Sequence, residues 1–371
     1  MIYLDYAASA PPYPQALQTF CRISTEACGN PGALHRAGAS ARQVLQESRR
    51  EIARLLSVRP EEVFFTSGGT EANNWAVRAG CGIPGRRHIV CSAMEHSSVL
   101  ESVRRMQKQG FQVTWLAPGK DGRIDPGQAE AALRPDTSLL CVQAVNNETG
   151  VLQDVDALAE AAKTHRVRYL CDAVQSFGQV SQNLHKADLI SLSAHKLGGP
   201  RGTGCLVVRQ PHRLEPLILG GGQEFSLRSG TENLPGIAGF AAAAGLSLEM
   251  LPREAPRLEA LTRLLQALLR EACPGVVFAG EQAKRSHILS CAFPGFSGEE
   301  MVMRLDLKGI CASPGAACAA RSGKPSHVLL AMGYTETEAA GFLRFSLGWN
   351  TTEQEIRSTA AAIADIYRKR R

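Results

Sequence analysis

The chain has 371 residues, 44% of them hydrophobic and 20% charged, with a formal net charge of +6. That length exceeds what one hydrophobic core usually supports, so a large domain and a smaller one are expected in an ordinary soluble globular enzyme. No run approaches the roughly 18 consecutive apolar residues of a membrane span, and Met1-Ile2-Tyr3-Leu4-Asp5 lacks the basic and apolar regions of a signal peptide. Eleven cysteines without CxxC pairs suit the cytoplasm and make a metal site unexpected. Positive charge is scattered except for Arg368-Lys369-Arg370-Arg371, which reads as a solvated helix end, so neither a membrane nor a nucleic acid is an expected direct partner.

Short apolar strands alternate with helical stretches from about Glu62 to Val208. The strand candidates are Val63–Phe65, His88–Cys91, Val113–Leu116, Leu139–Val142, Tyr169–Cys171, Leu189–Leu192 and Cys205–Val208, with helical character at Ser98–Gln109 and Val155–Thr164. This alternation predicts an α/β domain built on a mostly parallel seven-stranded sheet with helices on both faces, its catalytic groups gathered at the carboxyl ends of the strands. From Pro235 the pattern changes to an alanine-rich helix ending near Met250, followed by an amphipathic one from Arg257 to Arg270. Strands at Ile288–Phe293 and Leu343–Leu347 then alternate with capping boxes at Ser297–Glu300, Thr335–Glu338 and Thr352–Glu355, which describes a smaller α+β domain. The large domain is expected over residues 14–250 and the small one over 1–13 with 251–371.

Chemistry-bearing residues follow successive strands. Thr66-Ser67-Gly68-Gly69-Thr70-Glu71 places backbone N–H groups and a hydroxyl at a helix start, a geometry that binds phosphate. Glu95-His96, Asn146-Asn147 and Asp172-Ala173-Val174-Gln175 come next, bringing an imidazole, amides and a carboxylate to one edge. Lys196 closes Ser193-Ala194-His195-Lys196 after the apolar strand Asp188–Leu192, where desolvation favours the neutral, nucleophilic amine that a Schiff base requires. A carboxylate such as Asp172, able to pair with a protonated pyridine nitrogen, joins with that lysine to suggest pyridoxal 5'-phosphate (PLP). Cys318 lies in a run of small residues from Ala312 to Gly323 without apolar periodicity, which reads as an exposed loop bearing a free thiol.

From end to end the chain resembles the NifS-like cysteine desulfurases, in the class V branch of fold-type I PLP-dependent transferases. The motifs are Tyr3–Ala8, Gly29-Asn30-Pro31 with His35, Phe65–Glu71, Glu95-His96, Asn146–Gly150, Asp172–Ser176, Ser193–Lys196, Arg228–Asn233 and Arg344–Leu347. The resemblance implies that Lys196 bonds PLP and acts as general base, that Asp172 pairs with the pyridinium, and that His96 stacks on the ring and serves the chemistry. It implies that Gln175 and Asn147 touch the phenolic oxygen region and that Gly69, Thr70, Ser193 and His195 hold the phosphate. Thr231 would come from the neighbouring subunit of a homodimer. Arg344, with Asn147 and Asn30, would bind the substrate, and Cys318 would be the nucleophile. The implied reaction removes sulfur from L-cysteine, giving L-alanine and a persulfide destined for a sulfur-acceptor protein.

Two departures stand out. Pro314-Gly315-Ala316-Ala317-Cys318 replaces the family's frequent Ser-Gly-Ser-Ala-Cys, and Trp349-Asn350 replaces a basic-aromatic pair. A selenocysteine lyase is the alternative within the same scaffold, an aminotransferase a more distant one, and a PLP-bound partner without turnover comes from another class. Iron-sulfur cluster assembly, tRNA thiolation, thiamine or molybdenum-cofactor synthesis and selenium metabolism all stay open as destinations.

Overall fold

The structure is a computed structural model that describes residues 1–210, 214–315 and 325–369. After strand β1 (Ile2–Tyr3) and helices α1 (Pro14–Glu26) and α2 (Arg36–Leu56), the chain lays down β2 (Val63–Thr66), α3 (Gly69–Cys81), β3 (His88–Ser92), α4 (Ser97–Lys108) and β4 (Gln112–Leu116). It continues with α5 (Pro126–Ala132), β5 (Thr137–Cys141), α6 (Val155–Thr164), β6 (Arg168–Asp172), β7 (Leu189–Ser193) and β8 (Gly204–Val208). Strands β2 to β8 form one sheet in the order β2-β8-β7-β6-β5-β3-β4. Only β8 among them runs antiparallel to its neighbours, so the expected mostly parallel seven-stranded sheet is present.

Period-2 alternation divides each strand between two cores. Leu139 and Cys141 of β5 pack with Trp75, Ala76 and Val99 from α3 and α4, whereas Leu140 joins Leu158 of α6 and Ile52 of α2 on the other face. With both faces covered, the strands read as continuous apolar runs. The register Thr66↔Gly204↔Ser193 aligns the carboxyl ends of β2 and β7, and Asp172↔Ser191 sets the end of β6 beside them. One edge of the sheet therefore collects the segments that follow β2, β3, β5, β6 and β7.

The remainder builds on α7 (Leu234–Ala272), β9 (Val277–Phe278), β10 (Ile288–Ala292), β11 (Ile310–Cys311), β12 (Ser313–Pro314) and β13 (Phe342–Ser346). An antiparallel sheet in the order β12-β13-β10-β9 packs Leu289, Leu343 and Phe345 against Leu261 and Leu265 of α7 and Ile356 and Ile363 of the helix Glu353–Arg368. The capping boxes at Thr335 and Thr352 form in full. At Ser297 the hydroxyl accepts the Glu300 N–H, while the Glu300 carboxylate pairs with Arg304.

Two helices expected between Pro235 and Arg270 are one 39-residue helix in the structure, with Pro252 and Pro256 inside it. Proline removes a backbone donor and crowds the preceding turn, a cost of about 3 kcal/mol in an isolated helix. Here α1 and α2 pack along α7 on one side of the prolines and the C-terminal helix on the other, so tertiary contacts hold both halves in line. The expected boundary at residue 250 thus falls inside a continuous helix. An 18-residue stretch of α7 has mean hydropathy 1.5 and is long and apolar enough to cross a membrane, but 61% of it is buried inside the protein, as befits a core helix.

A buried ion pair ties α2 to the turn ahead of α7. Arg49 donates to Glu224 at 2.9 and 2.5 Å, both side chains are 2% exposed, and Glu224 also accepts the Phe65 N–H of β2 at 2.8 Å. Glu224, Phe225 and Ser226 have φ of 47°, 58° and 65°, three consecutive left-handed residues that an outside interaction must hold. Glu224→Ala is expected to lower the unfolding free energy by about 3–5 kcal/mol, because it leaves a buried guanidinium unpaired. Urea denaturation measures this, and Arg49→Met combined with Glu224→Gln should recover much of the loss.

Candidate active site

A cleft of about 530 Å³ opens at the carboxyl edge of the large sheet. Its walls include Gly69, Thr70, His96, Asn147, Asp172, Gln175, Ser193, His195, Lys196 and Arg344, so ten of the sequence-selected residues meet in one place. Cys318 lies outside the described residues. The chain on either side of residues 316–324 is rooted beside the cleft: Ser313 of β12 pairs with Arg344, and Ser326 and His327 follow on the other side, with His327 lining the cleft. Asn30 and Thr231 are not among the residues lining the cleft. Both are exposed, and the Asn30 side chain is turned onto the Gly32 N–H at 2.8 Å.

Each strand end presents its group for a local reason. β6 ends on Asp172, 6% exposed, whose carboxylate accepts from the Val174 N–H at 3.0 Å and from Asn73 Nδ2 at 2.7 Å. Asn73 lies one turn into α3 and gives its other amide hydrogen to Ser98 Oγ at 2.9 Å. Ser98 Oγ in turn lies 2.8 Å from His96 Nδ1, which also accepts the Ser98 N–H as His96 caps α4. Since Nδ1 is an acceptor twice over, the ring hydrogen belongs on Nε2. Burial, followed by the charge of Lys196, favours the neutral imidazole, while Asp172 pulls the other way and the net direction is down.

β7 ends on Ser193 and passes through a single 3-10 turn, Ala194–Lys196. The half-buried Lys196 donates from Nζ to the carbonyls of Ala7 and Ala8 at 2.6 and 3.0 Å. The amino-terminal segment that supplies those carbonyls also receives Gln175 Nε2 at 2.9 Å. Arg344, on β13 of the small sheet and 2% exposed, donates to the Asn147 carbonyl and to Asp5, each at 2.8 Å, and its Nε is buried without a partner among the described residues.

The donor set suits a planar phosphorylated pyridine. Gly69 opens α3 at its N-terminal turn, where backbone N–H groups can face an anion, and a Cβ on Gly69 would sit 2.7 Å from Val174 Cγ2, so a larger residue there would force Val174 to shift. Asp172 is an anion held by neutral donors, the environment that a pyridinium N–H requires. The buried Oε1 of Gln175 has no partner among the described residues and offers a further acceptor.

Residue reasoning alone did not single out Asn73, Ser98, Glu148 or His327. Asn73 falls three residues after Thr70, the spacing that returns a helical side chain to the same face, and this was the readable signal. Glu148 lines the cleft, accepts a very short hydrogen bond from Ser326 Oγ, and is pushed up by burial from 4.5 to about 7. Glu95, buried beside His96 and accepting the Gln143 N–H, is pushed up by burial to about 8.

A sheet with this strand order, bearing a lysine, an aspartate and a glycine-opened helix at one edge, defines an enzyme of fold-type I, the architecture of PLP-dependent transferases. The chain belongs to the aminotransferase class-V family, whose pattern matches residues 2–358. It is 36% identical to the cysteine desulfurase IscS of Dictyoglomus turgidum over 379 aligned residues, covering 100% of this chain and 95% of that one. Among solved structures, a NifS-like protein superposes with a TM-score of 0.92 at 31% identity over 99% of both chains. SspA in complex with cysteine has a TM-score of 0.81 at 33% identity, over 94% of this chain and 99% of that one.

The raised Glu148 sets a direction for the pH dependence of stability. Between about pH 5 and 7 the folded chain keeps a proton there that the unfolded chain has released, so stability falls as pH rises through that window. Glu148→Gln is expected to flatten the fall in unfolding free energy measured by urea denaturation at pH 5, 6 and 7. A slope identical to the parent's would mean that Glu148 is ionised in the fold.

Proposed function

We propose that this chain is a PLP-dependent cysteine desulfurase that takes sulfur from L-cysteine, releases L-alanine and leaves a persulfide on Cys318 for transfer to an acceptor protein. The observation that carries this reading is the convergence of Lys196, Asp172 and His96 from the large sheet with Arg344 from the small one. Full-length similarity to a cysteine desulfurase, and to a solved relative holding cysteine, supports it.

When bound, the cofactor supplies an electron sink next to the substrate α-carbon. Lys196 would hold it covalently and, once released, would move a proton at Nζ, as a half-buried amine at a strand end is placed to do. Asp172 would offer its carboxylate to the ring nitrogen, and His96, with hydrogen on Nε2, would support the ring. Gly69, Thr70, Ser193 and His195 would hold the phosphate, and Asn147 and Gln175 would serve the phenolic side. Arg344 presents a guanidinium to the substrate carboxylate, its orientation set by Asn147 O and Asp5. Cys318 sulfur bonds to the substrate sulfur as the substrate C–S bond breaks, and the carbon takes up a proton to become alanine, so atoms and charge balance.

In this reading two copies of the chain share their sites. Thr231 follows the paired stretches around Ile218 and Arg228, where Leu219 is 84% and Phe225 53% exposed. Such a surface belongs against a second copy, to which Thr231 contributes its hydroxyl.

Lys196→Ala is expected to abolish turnover, lowering alanine release from L-cysteine by more than about 1,000-fold, and to remove the absorbance of the lysine-bound cofactor. Cys318→Ser should keep that absorbance yet form no persulfide by mass spectrometry. A Cys318→Ser protein that still releases sulfide at the parent rate would overturn the assignment of the nucleophile.

A further inference from the structure

We propose that Arg201 belongs to the phosphate end of the cleft, where it supplies positive charge and, through Ser9, decides which nitrogen of His195 carries hydrogen. The inference rests on the PLP reading above and adds a residue to it.

The reason is charge. A phosphate monoester near neutral pH carries about −1.5 to −2. The groups that the resemblance assigns to it, the first amides of α3, Thr70, Ser193 and His195, are neutral or nearly so; a helix N-terminus offers about half a charge. Burial, followed by the charges of Lys196 and Arg201, pushes His195 down to about 4, so its imidazole is uncharged at neutral pH. Glu71, at the same end, is already matched by Arg228 at 2.8 and 3.2 Å, which commits that guanidinium elsewhere. The cleft continues here into a recess of about 360 Å³, lined by Ser67, Gly68, Thr70, Ser193, His195 and Arg201 among others. Among the described residues lining that recess, Arg201 brings the full positive charge.

Hydrogen-bond direction supplies the second part. Arg201 Nε lies 3.3 Å from Ser9 Oγ, and a guanidinium can only donate. Ser9 Oγ therefore accepts, and the relay assigns its own hydrogen to His195 Nδ1, also 3.3 Å away. With Nδ1 accepting, the His195 hydrogen sits on Nε2, and the ring enters the cleft wall as a donor, which an anion needs. The Ala10 N–H bonded to the His195 carbonyl at 2.9 Å keeps Ser9 and the histidine in step. Arg201 itself is exposed, so its contribution is sensitive to salt.

The test compares PLP with pyridoxal, which lacks the phosphate, each titrated by absorbance into the full-length chain stripped of cofactor. Arg201→Gln is expected to raise the Kd for PLP about tenfold at low salt, and less at high salt, while leaving the Kd for pyridoxal unchanged. Arg201→Lys should fall between parent and Arg201→Gln. Ser9→Ala keeps the charge and removes the relay, and should weaken PLP by about threefold. Equal PLP affinity in parent and Arg201→Gln, or a parallel loss for pyridoxal, would overturn the charge assignment; an unchanged Ser9→Ala would overturn the relay. A parent chain that takes up neither aldehyde would instead sink the cofactor reading, and this inference with it.

Discussion

A buried carboxylate whose hydrogen bonds come from an amide and a backbone N–H organises this molecule. Asp172 sits at the end of a central strand, and its partners, Asn73 and Val174, leave its charge available to whatever faces it. Asn73 extends that anchor through Ser98 to His96, so one line of hydrogen bonds joins the ends of two strands and the first turns of two helices. Because α3 also begins at Gly69, a single helix lines the cleft with its first turn and supports the carboxylate with its second.

The cleft is also electrostatically sparing. Two further acids, Glu95 and Glu148, border it, and burial pushes both up, to about 8 and about 7. Burial thus favours their protonated forms and sets them apart from Asp172, which is held by hydrogen bonds from Asn73 and Val174. Histidines 96, 195 and 327 are all pushed down, chiefly by burial, and stay neutral alongside. Lys196, Asp172 and Arg344 line the same cleft as these neutral groups.

The two parts of the chain meet because the site needs both. Arg344 belongs to the small sheet but donates to Asn147 on a large-sheet loop and to Asp5 of the amino-terminal segment. Helix α7 contributes to one large-sheet core and to the small-sheet core, and Arg257 on it donates to the carbonyls of Gly348, Trp349 and Thr351, clamping the turn that follows β13. Trp349, one of the departures from the family pattern, fills the seam by packing on Tyr13 with ring centroids 5.2 Å apart.

Much of this was readable in the chain alone. The alternating apolar runs spelled out the strand set, because strands covered on both faces must be apolar throughout, and Val155–Thr164 was placed to the residue. The motif residues at strand ends were legible because a glycine turn, an aspartate and a lysine in that order are hard to explain by packing. Tertiary structure alone decided that Pro252 and Pro256 interrupt nothing, since neighbouring helices outweigh a local penalty, and that Asn30 and Thr231 stay away from the cleft. It also decided the surroundings of Asn73, Glu148 and Arg201. Beyond the helical spacing of Asn73 from Thr70, their side chains carry no local signature, because burial, charge balance and hydrogen-bond direction exist only once distant segments are brought together.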